Sequence, residues 1–378
     1  MVIIIKPTYS CNFRCKYCYL SNGTKNNSTR FDVSFINDAI RQVKEYVLNN
    51  KLRKKITFIW HGGEPLLWGI ENFRKVLEFQ EKELSELDYG NSIQTNLSLL
   101  TEDYVDLFIK HDVHIGFSID GFRELNDSQR VFADGSGTYD TIIDRLNFAR
   151  AKGLSMGCII VGTKNSIGKV KELYQFVCEL KLNFKFNPLF ISGEAQNNDA
   201  ELGITPQEYA NMAIELFDLW YNDTKSRITE SNFVEIASNL LTGHTSGCLF
   251  GKNCQEHFLA IAPTGDVFPC GRFCDESTAA YSYGNLHADR LEDILAKARK
   301  SDCYTRFKYI ENSSCRSCAY FSVCHGGCLH DGYLKHGDFK SKTFLCPAYL
   351  KIFKHIEGIV SRDNLGHDNE LHIISNQQ

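Results

Sequence analysis

The chain reads Cys11-Asn12-Phe13-Arg14-Cys15-Lys16-Tyr17-Cys18 soon after its first apolar run, Val2–Ile5. The apolar run predicts a β-strand, and the cysteines then fall on a loop beyond its carboxyl end. Three thiolates on one short loop can hold three irons of a cubane cluster and leave the fourth iron without a protein ligand. The alternative is an incomplete zinc site, although zinc usually takes a fourth nearby ligand and cysteine pairs spaced CxxC. The spacing therefore favours an iron-sulfur site with one open iron.

Short β-branched or aromatic runs alternate with helical patterns up to about residue 200, which predicts repeated βα units and a parallel sheet. Helix-compatible segments such as 32–48 and 169–180 follow these runs. The predicted strands are Val2–Ile5, Ile56–Trp60, Ser92–Thr95, His114–Ile119, Met156–Val161 and Phe184–Phe190. Six units are too few for a closed eight-stranded barrel, so we expect an α/β protein with a partial (β/α)6 TIM-like barrel. Its site residues should follow the carboxyl ends of the strands.

The pattern changes near Gly247, after a predicted helix at Pro206–Tyr221. From Cys248 to Cys346 the chain is rich in glycine and cysteine and has short, irregular elements, as expected where metal organises the fold. We therefore predict three parts. They are a partial barrel with linking helices over 1–235, a cysteine-rich domain over 236–350, and a helix end with a polar tail over 351–378.

Composition excludes several classes of protein. A net charge of -4 over 378 residues gives no electrostatic footprint for nucleic acid or an anionic membrane. The opening apolar run is shorter than a signal-peptide core, and no stretch approaches the roughly 18 apolar residues of a membrane span. We therefore expect a cytoplasmic protein. In that reducing compartment the 15 cysteines are more naturally metal ligands than disulfides.

The cysteine loop resembles the defining motif of the radical S-adenosylmethionine (SAM) superfamily, and Tyr17 fits the usual aromatic position. The resemblance implies that the open iron binds the methionine moiety of SAM, which is cleaved to a 5'-deoxyadenosyl radical. The segment Trp60-His61-Gly62-Gly63-Glu64-Pro65 resembles the GGEP segment of the family. Gly62 and Gly63 would let the backbone approach the cofactor, and Glu64 would accept a bond from its ammonium group. A simple structural turn is the alternative.

Two further strand ends resemble the peptide-modifying branch of this superfamily. They read Gln94-Thr95-Asn96 and Ser118-Ile119-Asp120-Gly121, and Gln94, Asn96 and Ser118 would bond the cofactor's ribose and carboxylate. Arg130 would pair with the cofactor carboxylate, unless it is an ordinary surface arginine. Asp120 and His61 are candidates for the base that removes a proton, although strand-end polar residues often only satisfy backbone groups.

Eight cysteines in the second part resemble the SPASM domain, which binds two auxiliary clusters. With the Cys11 loop this implies three 4Fe-4S clusters, since eight thiolates ligate two clusters fully. By resemblance the first auxiliary cluster would be held by Cys248, Cys254, Cys270 and Cys328, and the second by Cys315, Cys318, Cys324 and Cys346. The alternative is a zinc-stabilised binding module with Cys315, Cys318, Cys324 and Cys328 as one site. Cys158 and Cys178 are expected to be core thiols, whereas Cys274 and Cys303 stay unassigned.

The reaction is less defined than the family. The anaerobic sulfatase-maturing enzymes share this array but place an aspartate, the expected base, directly after the cysteine that matches Cys270. Here Gly271 and Arg272 follow Cys270, and neither accepts a proton at neutral pH. Enzymes that cross-link ribosomally made peptides do not all keep that aspartate. The resemblance therefore favours a peptide maturase that forms a carbon-carbon cyclophane or a thioether, with formylglycine formation as the alternative.

The same resemblance implies partners. They are a precursor peptide or protein and a reductant such as flavodoxin or ferredoxin, whereas the net charge and composition indicate neither nucleic acid nor membrane. Because the first strand starts at Val2, no leader-binding domain of some 80 residues is expected before the barrel. The peptide would dock on the barrel and cluster surface or on a separate protein, and the strand edges of a partial barrel could add an extended segment.

Overall fold

The computed structural model of the chain describes residues 1–52, 55–245 and 247–363. Its strands are β1 (Val2–Ile5), β2 (Ile56–Trp60), β3 (Tyr89–Thr95), β4 (Val113–Ser118), β5 (Met156–Gly162), β6 (Phe184–Pro188), β7 (Phe258–Ile261), β8 (Asp266–Phe268) and β9 (Gly284–Asn285). They form one open sheet in the order β6-β5-β4-β3-β2-β1-β7-β8-β9. Neighbours from β1 to β6 are parallel. The predicted partial barrel is therefore confirmed.

α-Helices follow most of the strands along the chain. They are α1 (Asn22–Asn26), α2 (Val33–Asn49), α3 (Ile70–Glu83), α4 (Glu102–Lys110), α5 (Arg123–Asp127), α6 (Tyr139–Ala151), α7 (Val170–Glu179), α8 (Glu194–Asn197), α9 (Asp199–Leu202), α10 (Pro206–Asn222), α11 (Ser231–Thr242), α12 (Leu291–Ala298), α13 (Asp302–Glu311), α14 (Phe321–Cys324), α15 (Leu329–His336) and α16 (Cys346–Asp363). In the described ranges, no helix combines the length and the apolar character that a membrane crossing requires.

Buried and partly exposed residues alternate along the strands, so that one face of the sheet packs in the core and the other faces a cavity. In β2, Ile56, Phe58 and Trp60 are fully buried, whereas the residues between them are partly exposed. The α2 helix buries Ile36 and Ile40, with Val43 and Val47, at the spacing of one helical face. The partly exposed strand positions include Ile4, Ile159 and Val161, which line a cavity inside the open barrel. This division places the polar strand ends around one space.

The cysteine-rich part continues the sheet. Strand β7 pairs in parallel with β1, and β8 and β9 extend it with antiparallel neighbours. The α16 helix also packs against α10 and α11. The described residues of the two predicted parts are therefore joined through the sheet and through helix packing, and their boundary near residue 236 stays a prediction. The predicted polar tail lies outside the described residues beyond position 363.

The outer edge of β6 is occupied near its start. Phe184 donates its backbone N–H to the Thr229 carbonyl at 2.9 Å, and Phe186 donates to Glu230 Oε1 at 2.7 Å. Asn232 Nδ2 donates to the Phe186 carbonyl at 2.8 Å. An added peptide strand would have to pair with these same backbone N–H and carbonyl groups, which are already bonded. The expectation that a peptide adds to the free edge of the barrel is therefore wrong for Phe184–Phe186.

Glu230 supports both this edge and the start of α11. Its fully buried carboxylate accepts the Phe186 N–H and, at 2.6 Å, the Phe233 N–H. Substitution Glu230→Ala leaves two buried donors unsatisfied, at about 1–3 kcal/mol each. We expect the free energy of unfolding to fall by about 2–6 kcal/mol, measured by anaerobic urea denaturation of the apo-protein. In the same helix Glu235 Oε1 has no hydrogen-bond partner within the described residues, so Glu235→Ala is the control. Equal free energies of unfolding for the Glu230→Ala and Glu235→Ala variants would contradict the role of Glu230.

Candidate active site

The cysteine loop lies where β1 ends, between β1 and α1. Backbone bonds hold it from the opposite side of the barrel, because Arg14 donates its N–H to the Val131 carbonyl at 2.7 Å and Lys16 donates to Gln129 at 2.9 Å. Within the loop the Cys18 N–H bonds the Cys15 carbonyl at 3.2 Å. All three thiols, those of Cys11, Cys15 and Cys18, line the cavity inside the barrel.

The loop after β2 packs directly on this cysteine loop. Gly63 donates its N–H to the Thr8 carbonyl at 3.1 Å, and Glu64 donates to the Ser10 carbonyl at 2.9 Å. A Cβ on Gly63 would stand 2.2 Å from the Tyr9 oxygen, and one on Gly62 would stand 2.3 Å from the Thr8 oxygen. The two glycines are therefore required for contact between the two loops, and both also line the cavity.

Glu64 is used inside the protein. Its carboxylate is 1% exposed and accepts bonds from the Leu66 N–H at 3.0 Å, Thr95 Oγ1 at 2.7 Å and the Asn96 N–H at 2.7 Å. Burial raises its pKa, and these bonds oppose that shift. Glu64 is not among the residues that line the cavity. The carboxylate ties the ends of β2 and β3 together, and the cofactor contact expected for it stays a prediction.

The predicted amides and hydroxyl of β3 and β4 do lie at the cavity. Gln94 Nε2 donates to Ser118 Oγ at 3.0 Å, which links the two strands. Asn96 Nδ2 donates to Asn12 Oδ1 at 2.9 Å and approaches the Cys11 sulfur at 3.9 Å. These side chains therefore connect the strand ends to the cysteine loop.

Arg130 lies beside the cysteine loop and is 6% exposed. Its Nη1 donates to the Tyr17 hydroxyl at 2.5 Å, and it lines the cavity. Burial raises the pKa of Cys15 to about 11, and the guanidinium of Arg130 opposes that shift. Arg130 Nε is buried and has no hydrogen-bond partner in the described part of the chain. An arginine that keeps an unused donor at the cavity suits an anionic ligand, and it is not an ordinary surface arginine.

The cavity has a volume of about 360 Å³. On one side it is bounded by the cysteine loop and the predicted cofactor-binding side chains. On the other side it is bounded by residues of β6, the segment after it and the cysteine-rich part. The residues of that second wall are Asn187, Leu189, Phe190, Cys248, Phe258, Cys270, Gly271 and Arg272. Two groups of cysteines therefore face one space.

The two predicted bases occupy different positions. Asp120 is fully buried behind the cavity wall, where its Oδ1 accepts the Val161 N–H at 3.1 Å, and burial raises its pKa. His61 lines the cavity, and burial, with a contribution from nearby Lys6, lowers its pKa to about 4. Its Nδ1 lies 2.8 Å from the Gly62 nitrogen and 3.3 Å from the Gly62 carbonyl oxygen. The lowered pKa makes His61 a weak proton acceptor, and the catalytic roles of His61 and Asp120 stay predictions.

The first expected auxiliary set comes together on the cavity side. A hydrogen bond between the Cys248 and Cys254 thiols, with a contribution from the Arg272 charge, lowers the pKa of Cys248. Burial raises the pKa of Cys270, and the nearby Cys328 and Cys248 thiols raise it further. Cys328 thus lies with this group, which is not the grouping that a zinc site of Cys315, Cys318, Cys324 and Cys328 requires.

The second expected set surrounds its own cavity of about 250 Å³. The four thiols share it with aromatic side chains of α14 and α16, and the cysteines are Cys315, Cys318, Cys324 and Cys346. Burial raises the pKa of Cys324 to about 12, and the other three thiols contribute to the increase. In the described residues no three histidine, cysteine or acidic side chains converge to hold a single ion. Groups of three and four thiols are the ligand sets that iron-sulfur clusters take.

The remaining cysteines lie outside these groups. Cys158 is buried in β5 and Cys178 is half-buried in α7. Cys303 is buried, and its sulfur lies 3.4 Å from the Tyr283 hydroxyl. Cys274 is also buried, and its carbonyl accepts a bond from Lys6 Nζ at 3.4 Å. They are not among the thiols that line either cysteine cavity.

Lys6 and Tyr19, which lie around the cavity, escaped the sequence analysis, and Arg272 was noted there only as a residue that cannot act as a base. Lys6 is fully buried, and its Nζ donates to the Tyr19 hydroxyl at 3.1 Å. Tyr19 lines the cavity directly after Cys18. Arg272 lines it too, with its guanidinium 3.6 Å above the centre of the Phe190 ring. A charged residue directly after an apolar strand was the one available signal for Lys6, and the position beside Cys270 was the signal for Arg272.

Comparison with known proteins agrees with this geometry. Residues 5–177 match the model of the Radical SAM superfamily, and residues 248–319 match that of the SPASM iron-sulfur cluster-binding domain. The fold and the site thus define an iron-sulfur enzyme built on an open α/β barrel. The chain belongs to the radical SAM superfamily and carries a SPASM domain. These domains imply iron-sulfur clusters and SAM as cofactors, and a non-catalytic zinc-binding module is not supported.

Individual relatives resemble nearly the whole chain. The Cysteine-type anaerobic sulfatase-maturating enzyme of Clostridium perfringens (strain 13 / Type A) is 24% identical over 364 residues, which cover 93% of this chain and 95% of the relative. A solved structure of native anSMEcpe with bound AdoMet and Cp18Cys peptide has a TM-score of 0.80 at 21% identity, covering 96% of this chain and 99% of that one. Streptococcus suis SuiB bound to its precursor peptide SuiA has a TM-score of 0.59 at 19% identity, covering 91% and 75%. At these identities the solved structures show the shared fold.

Proposed function

We propose that this enzyme is a peptide maturase that forms a carbon-carbon or thioether cross-link in a ribosomally made precursor peptide. The observation that carries the proposal is the single cavity between the Cys11 loop and the wall that holds Cys248, Cys270 and Arg272. A space bounded by both cysteine groups can hold a cofactor at one end and a peptide side chain at the other. The open side of the barrel would then admit the peptide to this cavity.

In this proposal Cys11, Cys15 and Cys18 hold the first of three 4Fe-4S clusters and leave one iron open for SAM. Gly62 and Gly63 give the cofactor backbone contact, and Arg130 supplies a fixed cation for its carboxylate. Gln94, Asn96 and Ser118 supply neutral hydrogen-bonding groups for its polar atoms. When bound and reduced, the cluster and SAM supply a 5'-deoxyadenosyl radical that removes hydrogen from an unactivated carbon. The auxiliary clusters are assigned to the two sets of four cysteines described above.

A peptide or protein substrate is supported by the relatives. The solved structures of anSMEcpe and SuiB contain bound peptides, and both share the fold of this chain. The wall opposite the cysteine loop includes Phe190 and Leu189, which give a peptide side chain apolar contact. We extend the proposal to a cytoplasmic enzyme that takes electrons from a flavodoxin or ferredoxin.

Cross-linking is favoured over aldehyde formation by the residues that follow Cys270. Gly271 has no side chain, and the guanidinium of Arg272 lies at the cavity. Arginine stays protonated in proteins, so this position offers no base to a substrate cysteine or serine. Asp120, which is buried behind the cavity wall, remains the proposed acceptor of the proton that closing the cross-link releases, and the auxiliary clusters would accept the electron released with it.

Formylglycine formation on a sulfatase is the second candidate. It is favoured by the full-length resemblance to the Clostridium perfringens sulfatase-maturating enzyme, which covers 95% of that relative. The two candidates predict different products. A cross-link removes two hydrogens from the peptide, whereas conversion of a cysteine to the aldehyde also exchanges sulfur for oxygen.

We expect a short precursor peptide to be encoded beside the gene, and co-expression of the enzyme with that peptide tests the proposal. We expect the recovered peptide to have lost two hydrogens and to resist fragmentation between the two joined residues in tandem mass spectrometry. A cysteine peptide from a sulfatase, tested in parallel, should stay unchanged. The matched control is the Cys11→Ala enzyme, with which both peptides should keep their original mass. Oxidation of the sulfatase peptide alone would contradict cross-linking and establish the second candidate.

A further inference from the structure

Arg272 contacts both the substrate cavity and a cysteine of the first auxiliary set. It lies in a short 3-10 turn, Gly271–Phe273, directly after Cys270. Its Nη1 lies 3.5 Å from the Cys328 sulfur and 3.2 Å from Asp331 Oδ1, so that one N–H group faces both acceptors. About 30% of the side chain is exposed, on the side of the cavity.

The guanidinium is fixed in this position. Asp331 is fully buried and pairs with Arg272, and its other oxygen, Oδ2, lies 3.5 Å from Thr343 Oγ1. The Phe190 ring lies under the guanidinium at 3.6 Å, which supplies a cation-π contact. A buried carboxylate without its cation would be strongly destabilising, so the ion pair and the ring together hold Arg272 beside Cys328.

Resting on the cluster assignment proposed above, we infer that Arg272 is a positioning residue that sets the reduction potential of the first auxiliary cluster. An N–H group that donates to a ligand sulfur, and a positive charge beside it, both stabilise the more negative, reduced state of a cluster. Arg272 therefore raises the potential of the cluster that faces the substrate cavity. The second auxiliary cluster, in its own cavity, has no such contact with Arg272 among the described residues.

Substitutions of Arg272 and of Asp331 should shift the potential of the first auxiliary cluster in opposite directions. Arg272→Gln removes the positive charge, so the potential of the first auxiliary cluster should fall. Asp331→Asn removes the neighbouring negative charge and leaves Arg272 in place, so the same potential should rise. The potential of this cluster in the double variant should lie near the wild-type value. Arg272→Lys keeps the charge without the planar fork, so its potential should lie between those of the wild type and Arg272→Gln. General damage to the fold would not give shifts of opposite sign.

The experiment is a redox titration of the anaerobically reconstituted full chain, followed by electron paramagnetic resonance. Addition of SAM identifies the signal of the Cys11-loop cluster, and the other two signals belong to the auxiliary clusters. For Arg272→Gln we expect the midpoint potential of one auxiliary signal to fall by about 59 mV. For a one-electron couple, this shift means a tenfold lower ratio of reduced to oxidised cluster at a fixed potential. The other auxiliary signal should stay in place as an internal control.

Each outcome decides between the claims. Unchanged potentials in both single variants, or shifts of the same sign, would overturn the role of Arg272 while the cluster assignment stands. If Arg272→Gln does not assemble its clusters, the sign of the Asp331→Asn shift decides, and a fall or no change refutes the inference. A wild-type protein that assembles no auxiliary clusters refutes the proposed cluster assignment itself, and the inference with it.

Discussion

Replacement of Cys11, Cys15 and Cys18 by alanine should abolish the release of 5'-deoxyadenosine. Without these thiols the open-iron cluster has no ligands from the loop after β1, whereas the eight cysteines of the other two sets are untouched. Iron content should therefore fall from about twelve to about eight atoms per chain, since each cluster holds four. The two measurements are iron and sulfide analysis after anaerobic reconstitution and chromatography of the nucleoside product with dithionite and SAM present.

The control is Cys178→Ala. Cys178 is half-buried in α7, outside the three cysteine groups, so its loss should leave both the iron content and the nucleoside release near wild-type values. Release at the wild-type rate from the triple variant would place the cleavage of SAM somewhere else in the protein. If the triple variant loses four irons but still releases the nucleoside at the wild-type rate, SAM cleavage does not depend on the cluster of the cysteine loop.

The substitution Gly63→Ala should have the next largest effect. The new Cβ would stand 2.2 Å from the Tyr9 carbonyl oxygen and 2.4 Å from that of Ser10, so the cysteine loop must move away. Overpacking of this kind costs about 1–3 kcal/mol in stability. A displacement of about 1 Å at reacting groups can cost about 100-fold in rate, and we expect a loss of that size in nucleoside release at saturating SAM.

Gly90→Ala in β3 is the matched control. A Cβ there meets the flexible end of the Lys55 side chain at 3.1 Å and no backbone atom within 4 Å, and Gly90 does not have a positive φ. The same added methyl group should thus leave the rate within about twofold, because surface changes of this kind cost little. Equal rates for Gly63→Ala and Gly90→Ala would show that the close contact between the two loops is not required.

The local signals of the sequence were sufficient for the barrel. The six predicted strands start and end within three residues of β1 to β6, because most of them are short β-branched or aromatic runs. The predicted helix at Pro206–Tyr221 matches α10, whose start is defined by Pro206 and by a capping box between Thr205 and Glu208. Most predicted cofactor residues also line the cavity, because parallel strands end on the same side of the sheet.

The remaining features depend on long-range contacts that local patterns do not encode. Strand β7 is four residues long and becomes a strand by pairing with β1, some 250 positions earlier in the chain. The GGEP segment suggested a ligand for Glu64, whereas its neighbours in space supply three internal donors. Arg272 was noticed as a departure from relatives, but its contacts with Cys328 and Asp331 required the folded chain.

The central claim is that three thiolates on the first loop hold a cluster with one iron open to SAM. The most direct test is the electron paramagnetic resonance spectrum of the reduced protein before and after SAM is added. We predict that SAM changes the signal of one cluster and that this signal is missing from the Cys11, Cys15 and Cys18 triple variant. A wild-type spectrum that stays the same at saturating SAM would contradict the account.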